Sequence, residues 1–290
     1  MNLAVIFGGK STEHEVSRLS AVNVLKALEG DQYEVFVIGI TKEGRWYITK
    51  APYEAIADGS WEKDPSNLQV VIPHDPVVHG ILVFDQEDRA MAIRIDCVIP
   101  VLHGAHGEDG DIQGLLELAE IPYVGSGVAA TANSMDKSIT KVLAAQTGVR
   151  QAKHCVLRLK EYREDPEGVV MDAFTAHNGH FPLFVKPSSA GSSVGASKAK
   201  NLDQLREAVA EAFKYDKKVL VEEAIVGREI ECAVIGNNDP KASRVGEILS
   251  AGEFYTYDAK YKNPESKTRV VEDLPDETIN KVRQYAIAIY

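Results

Sequence analysis

The chain is poor in cysteine: three of its 290 residues, Cys97, Cys155 and Cys232, stand far apart and form no Cys-x-x-Cys pair. That spacing indicates neither a disulfide scaffold nor a zinc knuckle. Long hydrophobic runs are missing as well. The stretch at residues 97–102 falls far short of the roughly 20 residues that span a bilayer, so no membrane partner is expected. Positive charge is in deficit, with 32 Lys plus Arg against 43 Asp plus Glu and a net charge of −11. A nucleic-acid partner is therefore not expected, because such binding rests on phosphate neutralisation by basic side chains. The opening residues Met1-Asn2-Leu3-Ala4-Val5-Ile6-Phe7 carry neither a basic leader nor a small-residue cleavage site. The expectation is a cytoplasmic protein.

What is present is an ordinary globular balance, 44% hydrophobic and 26% charged residues, enough for a substantial core. At roughly 150 residues per domain the length suggests two domains, with three small ones possible. Residues 3–7 form a continuous apolar run that stops at Gly8-Gly9, as a buried parallel strand would. A periodic segment with Val16, Leu19, Val22, Leu25 and Leu28 follows, with Ser11 or Thr12 as candidate cap. Residues 33–40 read as a second strand and 98–102 as another, before a helix entered at Asp111. Strands alternating with helices argue for a parallel or mixed α/β sheet. Beyond about Gly127 the pattern changes. Helices are expected at 136–147 and 201–213. Strands are expected at 182–186, 219–223, 229–235 and 244–249, the signature of an α+β region. Residues 255–268 are polar, rich in Lys and Tyr and without period, as a long functional loop would be. A final amphipathic helix is expected from Asp276 to Tyr290.

Three motifs invite misreading. Gly8-Gly9-Lys10-Ser11 resembles the end of a phosphate-binding P-loop, but the required earlier glycine is replaced by Ala4 inside the strand. A tight turn at a ligand cleft remains, since ligands gather at strand carboxyl ends. Gly191-Ser192-Ser193-Val194-Gly195 fits a hydrolase elbow with Ser193 as nucleophile, yet the last histidine is His180 and no helix follows directly. Phosphate binding by a Gly/Ser loop is favoured over a hairpin tip. His103-Gly104-Ala105-His106-Gly107-Glu108-Asp109-Gly110-Asp111 has metal-ligand residue types, but two histidines with no clear third ligand argue against zinc. The glycines fit a substrate loop, with Asp111 as helix N-cap.

Taken in order, these segments resemble the D-alanine–D-alanine ligases. The match runs through residues 8–17, His103-Gly104…Gly107-Glu108-Asp109-Gly110…Gln113-Gly114 and Pro122-Tyr123-Val124-Gly125-Ser126-Gly127. It continues through Ser134-Met135-Asp136-Lys137, Val185-Lys186-Pro187-Ser188, the Gly191–Gly195 loop, Val221-Glu222-Glu223…Gly227-Arg228-Glu229 and Phe254-Tyr255-Thr256-Tyr257-Asp258-Ala259-Lys260-Tyr261. The resemblance implies an ATP-grasp fold, α/β and α+β. It comprises an N-terminal parallel-sheet substrate-binding domain over 1–125, a central α+β domain over 126–222 and an incomplete C-terminal domain over 223–290. It also implies ligation of two D-alanines through an acyl phosphate, for peptidoglycan precursor synthesis.

By the same resemblance, Glu13 pairs with the first D-alanine's ammonium and His103 lies near its carboxylate. Ser192 hydrogen-bonds towards Glu13 and Tyr261, closing the long loop. Lys137 and Lys186 neutralise ATP phosphates, with Ser193 beside them, and Lys260 approaches the transferred phosphate. Glu222, Glu223 and Ile225 fall on the adenine hinge, Glu222 as acceptor of the exocyclic amine, and Glu229 accepts from ribose. Tyr261 favours an amine over a hydroxy acid as second substrate. Magnesium or manganese is expected as cofactor, with ligands on strands that would follow Tyr290, so no metal ligand is assigned. The family suggests a homodimer. The alternative is a catalytically silent fragment that binds nucleotide or D-alanine.

Overall fold

The structure, a computed structural model, describes residues 1–30, 32–249 and 267–290. The chain divides into two compact units, Met1–Met135 and Asp136–Tyr290.

The first unit contains β1 (Asn2–Gly8), α1 (His14–Ala27), β2 (Glu34–Ile40), β3 (Trp46–Ile48), α2 (Tyr53–Asp58) and β4 (Leu68–Val71). It continues with β5 (Gly80–Phe84), β6 (Ala90–Arg94), β7 (Cys97–Leu102), α3 (Asp111–Leu118) and α4 (Val128–Met135). Its sheet has the order β6-β5-β4-β3-β2-β1-β7. β1 pairs in parallel with both β2 and β7, and β2 through β6 are joined antiparallel. The sheet is mixed rather than wholly parallel: β2–β3 and β5–β6 join through short turns that need no crossover helix, and the longer β3–β4 link, which carries α2, also returns antiparallel.

β1 explains its own sequence. Ala4 and Ile6 face one core with Ile38, Ile81 and Leu116, while Val5 and Phe7 face another with Leu25, Ile56 and Trp61. A strand buried on both faces has no polar positions to alternate. Trp61 is fully buried, with its ring centroid 5.0 Å from that of Phe7. It lies so close to Gly39 that a Cβ there would sit 2.3 Å from the indole. The chain leaves β1 towards β2 on one side and β7 lies on the other. The strand order therefore reverses at β1, and loops from its carboxyl end open a crevice there.

The second unit contains α5 (Lys137–Ala145), β8 (His154–Arg158), α6 (Leu159–Glu164), α7 (Pro166–Ala176), β9 (Leu183–Pro187), β10 (Ser197–Ala199), α8 (Leu202–Ala212) and β11 (Lys218–Glu223). An antiparallel sheet of order β10-β9-β11-β8 results. One of its faces packs Val185, Val219 and Val221 against Val170, Leu205 and Val209 from the helices. Asn201 caps α8, its side chain accepting from Gln204 N at 2.9 Å. Then come β12 (Glu229–Glu231), β13 (Val234–Ile235), β14 (Lys241–Ala242), β15 (Gly246–Leu249), β16 (Lys267–Val270) and α9 (Asp276–Ile289). Among the described residues these strands form a β12-β15-β16 sheet and a β13-β14 pair. The single strand expected over 229–235 is thus two. Among the described residues no helix is long and apolar enough to cross a membrane.

Candidate active site

In the first unit, the loops after β1 and β7 are tied together by serines. Ser11 Oγ donates to His103 O at 2.8 Å, and Glu13 N donates to Ser11 Oγ at 3.1 Å. Ser17 Oγ donates to Val101 O and accepts from Gly8 N at 2.8 Å. Ser20 Oγ lies 3.1 Å from His103 Nε2. Neither Ser11 nor Thr12 caps α1; the position falls to Glu13, which makes no side-chain cap bond. Its carboxylate is turned into the protein, where the residue is 4% exposed. There it rests against Gly104, whose missing Cβ would lie 2.4 Å from Oε2. Gly104 has φ of +69° and its N–H donates to Glu108 Oε2 at 2.9 Å. The structure therefore brings Glu13 and His103 to one place, beside a cavity of about 280 Å³ lined by Gly8, Gly9, His103 and Ile112.

The His103–Asp111 loop differs from expectation in one respect. Gly110, with φ of +100°, occupies the N-cap of α3, and Asp111 enters the first turn. Its carboxylate engages His106 Nδ1 at 2.6 Å instead. His106 N donates to Asp109 Oδ2 at 2.7 Å, so these three residues satisfy one another on an exposed loop.

In the second unit, the sheet face opposite the core carries charge. β11 places Leu220 against Lys186 and Glu222 against Phe184, so Lys186 and Glu222 are diagonal neighbours on one face. Lys186 Nζ lies 2.6 Å from Glu222 Oε2, and Lys141 Nζ, from α5, lies 2.8 Å from Oε1. Glu222 is 6% exposed. Burial alone would raise its carboxyl pKa, but hydrogen bonds and charge from Lys141 and Lys186 outweigh it and hold the pKa below the ordinary value.

Lys137 begins α5 and reaches back to the loop after β9, its Nζ donating to Ala190 O at 2.7 Å and Ser188 O at 3.3 Å. Asp136 caps the same helix, accepting from Ser138 N at 3.1 Å and from Ser188 Oγ at 2.5 Å, and pairs with Lys218. In the Gly/Ser loop, Ser192 and Ser193 both adopt left-handed φ, +46° and +60°. Such backbone costs roughly 1–3 kcal/mol per residue and gathers at ligand clamps. Glu223 Oε1 accepts from Lys153 N at 2.8 Å, Ile225 is exposed, and Glu229 is exposed on β12. Lys260 and Tyr261 lie outside the described residues. Sequence reasoning missed Lys141, although its place four residues after Lys137 puts both on one helix face.

The depressed Glu222 pKa has a consequence for acid stability. A carboxyl group depressed on folding contributes stability that is present above its unfolded pKa, about 4.3. That contribution is lost as pH falls through the folded value. Wild-type protein is expected to lose melting temperature steeply below about pH 4.3, and Glu222→Gln to start lower at pH 7 and decline less. Scanning calorimetry across pH 3–7 checks this.

A family model described as the D-ala D-ala ligase N-terminus matches residues 2–126, and one described as its C-terminus matches residues 143–290. A D-alanine–D-alanine ligase of Acetivibrio thermocellus is 45% identical over 99% of this chain and 78% of its own length. One of Clostridium acetobutylicum is 42% identical over 99% of this chain and 79% of its own. Among solved structures, the VanG D-Ala:D-Ser ligase of Enterococcus faecalis aligns with a TM-score of 0.84 at 35% identity, over 100% of this chain and 81% of that one. The D-alanine–D-alanine ligase of Coxiella burnetii gives 0.79 at 33% identity, over 100% of this chain and 77% of that one.

Proposed function

This chain belongs to the D-alanine–D-alanine ligase family, and from that premise we propose how its residues join two D-alanines with ATP. A carboxylate oxygen of the first D-alanine attacks the γ-phosphorus; a new P–O bond forms as the bridge to ADP breaks. The amine of the second D-alanine then attacks the acyl carbon. The C–O bond to phosphate breaks, and the ammonium proton is lost to solvent or base. The product is D-alanyl-D-alanine for peptidoglycan synthesis.

Glu13, held against Gly104, receives the first ammonium, and His103 approaches the carboxylate that will be phosphorylated. Lys137 and Lys186 meet the ATP phosphates beside the Ser192–Ser193 loop, as fixed charge placed where charge develops. Glu222 has lone pairs beyond those facing its lysines, which suits it to accept from the adenine amine. Glu223 and Ile225 complete the hinge, and Glu229 takes the ribose. Lys260 and Tyr261, with Ser192, close the loop and keep water from the acyl phosphate. The second unit is divided near 222/223 into central and C-terminal ATP-grasp domains. A cytoplasmic homodimer is the proposed state.

The family uses ATP with a divalent metal. The described residues do not fit one. In the second unit Asp136 is committed to Lys218 and Glu222 to two lysines. Glu247 and Asp273 are bound by Arg228 and Arg269, whose guanidiniums draw the Asp273 pKa down to about 2. The His106–Asp109–Asp111 group belongs to the first unit and offers a histidine nitrogen where magnesium prefers oxygen and water. Magnesium or manganese is the divalent ion proposed for the reaction.

The observation that carries this reading is the pair of lysines bracketing one buried glutamate beside a Gly/Ser loop, a site with surplus positive charge in an acidic protein. Incubation with ATP, magnesium and D-alanine is expected to yield D-alanyl-D-alanine by chromatography, and L-alanine to yield none. Nucleotide binding without dipeptide would overturn this reading.

A further inference from the structure

We propose that Lys141 is a positioning residue for the nucleotide: it keeps Glu222 paired so that Lys186 is free to turn to the phosphates. The inference rests on the ATP reading above. Lys141 and Lys186 approach opposite oxygens of the same carboxylate, at 2.8 and 2.6 Å. Lys141 comes from α5 and Lys186 from the end of β9, so the two lysines are held by separate elements. Their side chains are 14% and 24% exposed, against 7% for Glu222. The more exposed cation is the one able to reach a ligand, and the more enclosed one is the fixed counter-charge.

With one lysine, the pair would be neutral, and drawing Lys186 towards phosphate would strand a buried carboxylate, which is strongly unfavourable. With two, the cluster carries one net positive charge. Lys186 leaves, Lys141 remains, and Glu222 stays compensated. Glu222 then acts as a saddle from which Lys186 is released, and Lys141 sets how easily that release occurs. Lys137 is not a substitute, since its ammonium is directed to the Ser188 and Ala190 carbonyls.

Calorimetric titration of the full chain with ATP and with adenosine tests this. Lys141→Met is expected to weaken ATP about 10- to 100-fold, the range of one charge-assisted contact, while adenosine, which has no phosphate, stays within about twofold. Lys141→Arg is expected to recover most of the ATP affinity. Because Lys141→Met takes one member out of a buried charge cluster and could fold poorly, the same change is also made on Glu222→Gln. There it is expected to alter ATP affinity less than about threefold, as coupled groups require. Equal weakening of ATP and adenosine, or equal weakening in both backgrounds, overturns the proposal. Wild-type protein that binds neither ligand overturns the ATP reading itself.

Discussion

Lys186→Met is expected to lower kcat/KM for ATP by about 10²–10³, the usual loss when one preorganised donor to developing charge is removed. The KM for D-alanine should change little. Lys186 closes an apolar strand, and its neighbours Val185 and Pro187 stay buried in the sheet, so the methionine stem can occupy the same groove. Its ammonium lies 5.8 Å from the Phe184 ring centroid and 2.6 Å from Glu222, which limits the directions it samples. Lys186→Arg keeps the charge but spreads it over a larger plane, and an intermediate loss is expected. Steady-state kinetics with each substrate varied in turn, alongside melting temperatures, separates this effect from instability. A loss confined to the D-alanine KM would place Lys186 elsewhere in the reaction.

Gly104→Ala is the second large effect. The added methyl would stand 2.4 Å from Glu13 Oε2, and the backbone φ of +69° is one that side-chain-bearing residues rarely adopt. Glu13 must move, and the loop must bear strain of roughly 1–3 kcal/mol. If Glu13 receives the ammonium of the first D-alanine, the lost contact is a hydrogen bond to charge, worth about 1.5–3 kcal/mol. The KM for D-alanine is then expected to rise about 10- to 100-fold with the ATP KM unchanged. Glu13→Gln, which leaves the loop unstrained, should show the same KM shift with a smaller fall in melting temperature. Unchanged D-alanine kinetics in both variants would remove Glu13 from the substrate site.

The sequence made some of this legible and hid the rest, for physical reasons. The apolar run of β1 ending at Gly8-Gly9 marks a strand buried on both faces, and the strand order reverses beside it. The motif at 191–195 marks a loop whose serines adopt left-handed φ. In the first unit the sequence pattern does not announce β3 to β6, and in the second it does not announce β8, β10, β14 or β16. β3 is three residues long, and β6 is largely exposed, so neither shows a buried face for a period to reveal. Asp136, Ser188 and Lys218 converge from three separate segments, a meeting that no local spacing announces. Lys141 was hidden by its identity, because lysine on a helix is ordinarily solvated. Only the partner strand shows that it faces a buried glutamate.

If this chain passes phosphate through the carboxylate of D-alanine, the released phosphate inherits a carboxyl oxygen. The direct test supplies D-alanine labelled with ¹⁸O in its carboxyl group, ATP and magnesium, then analyses the released phosphate by mass spectrometry. An acyl phosphate delivers one carboxyl oxygen to each phosphate, formed together with one D-alanyl-D-alanine. Phosphate that carries no label, released whether or not D-alanine is present, would mean attack by water on ATP and would rule out the acyl phosphate.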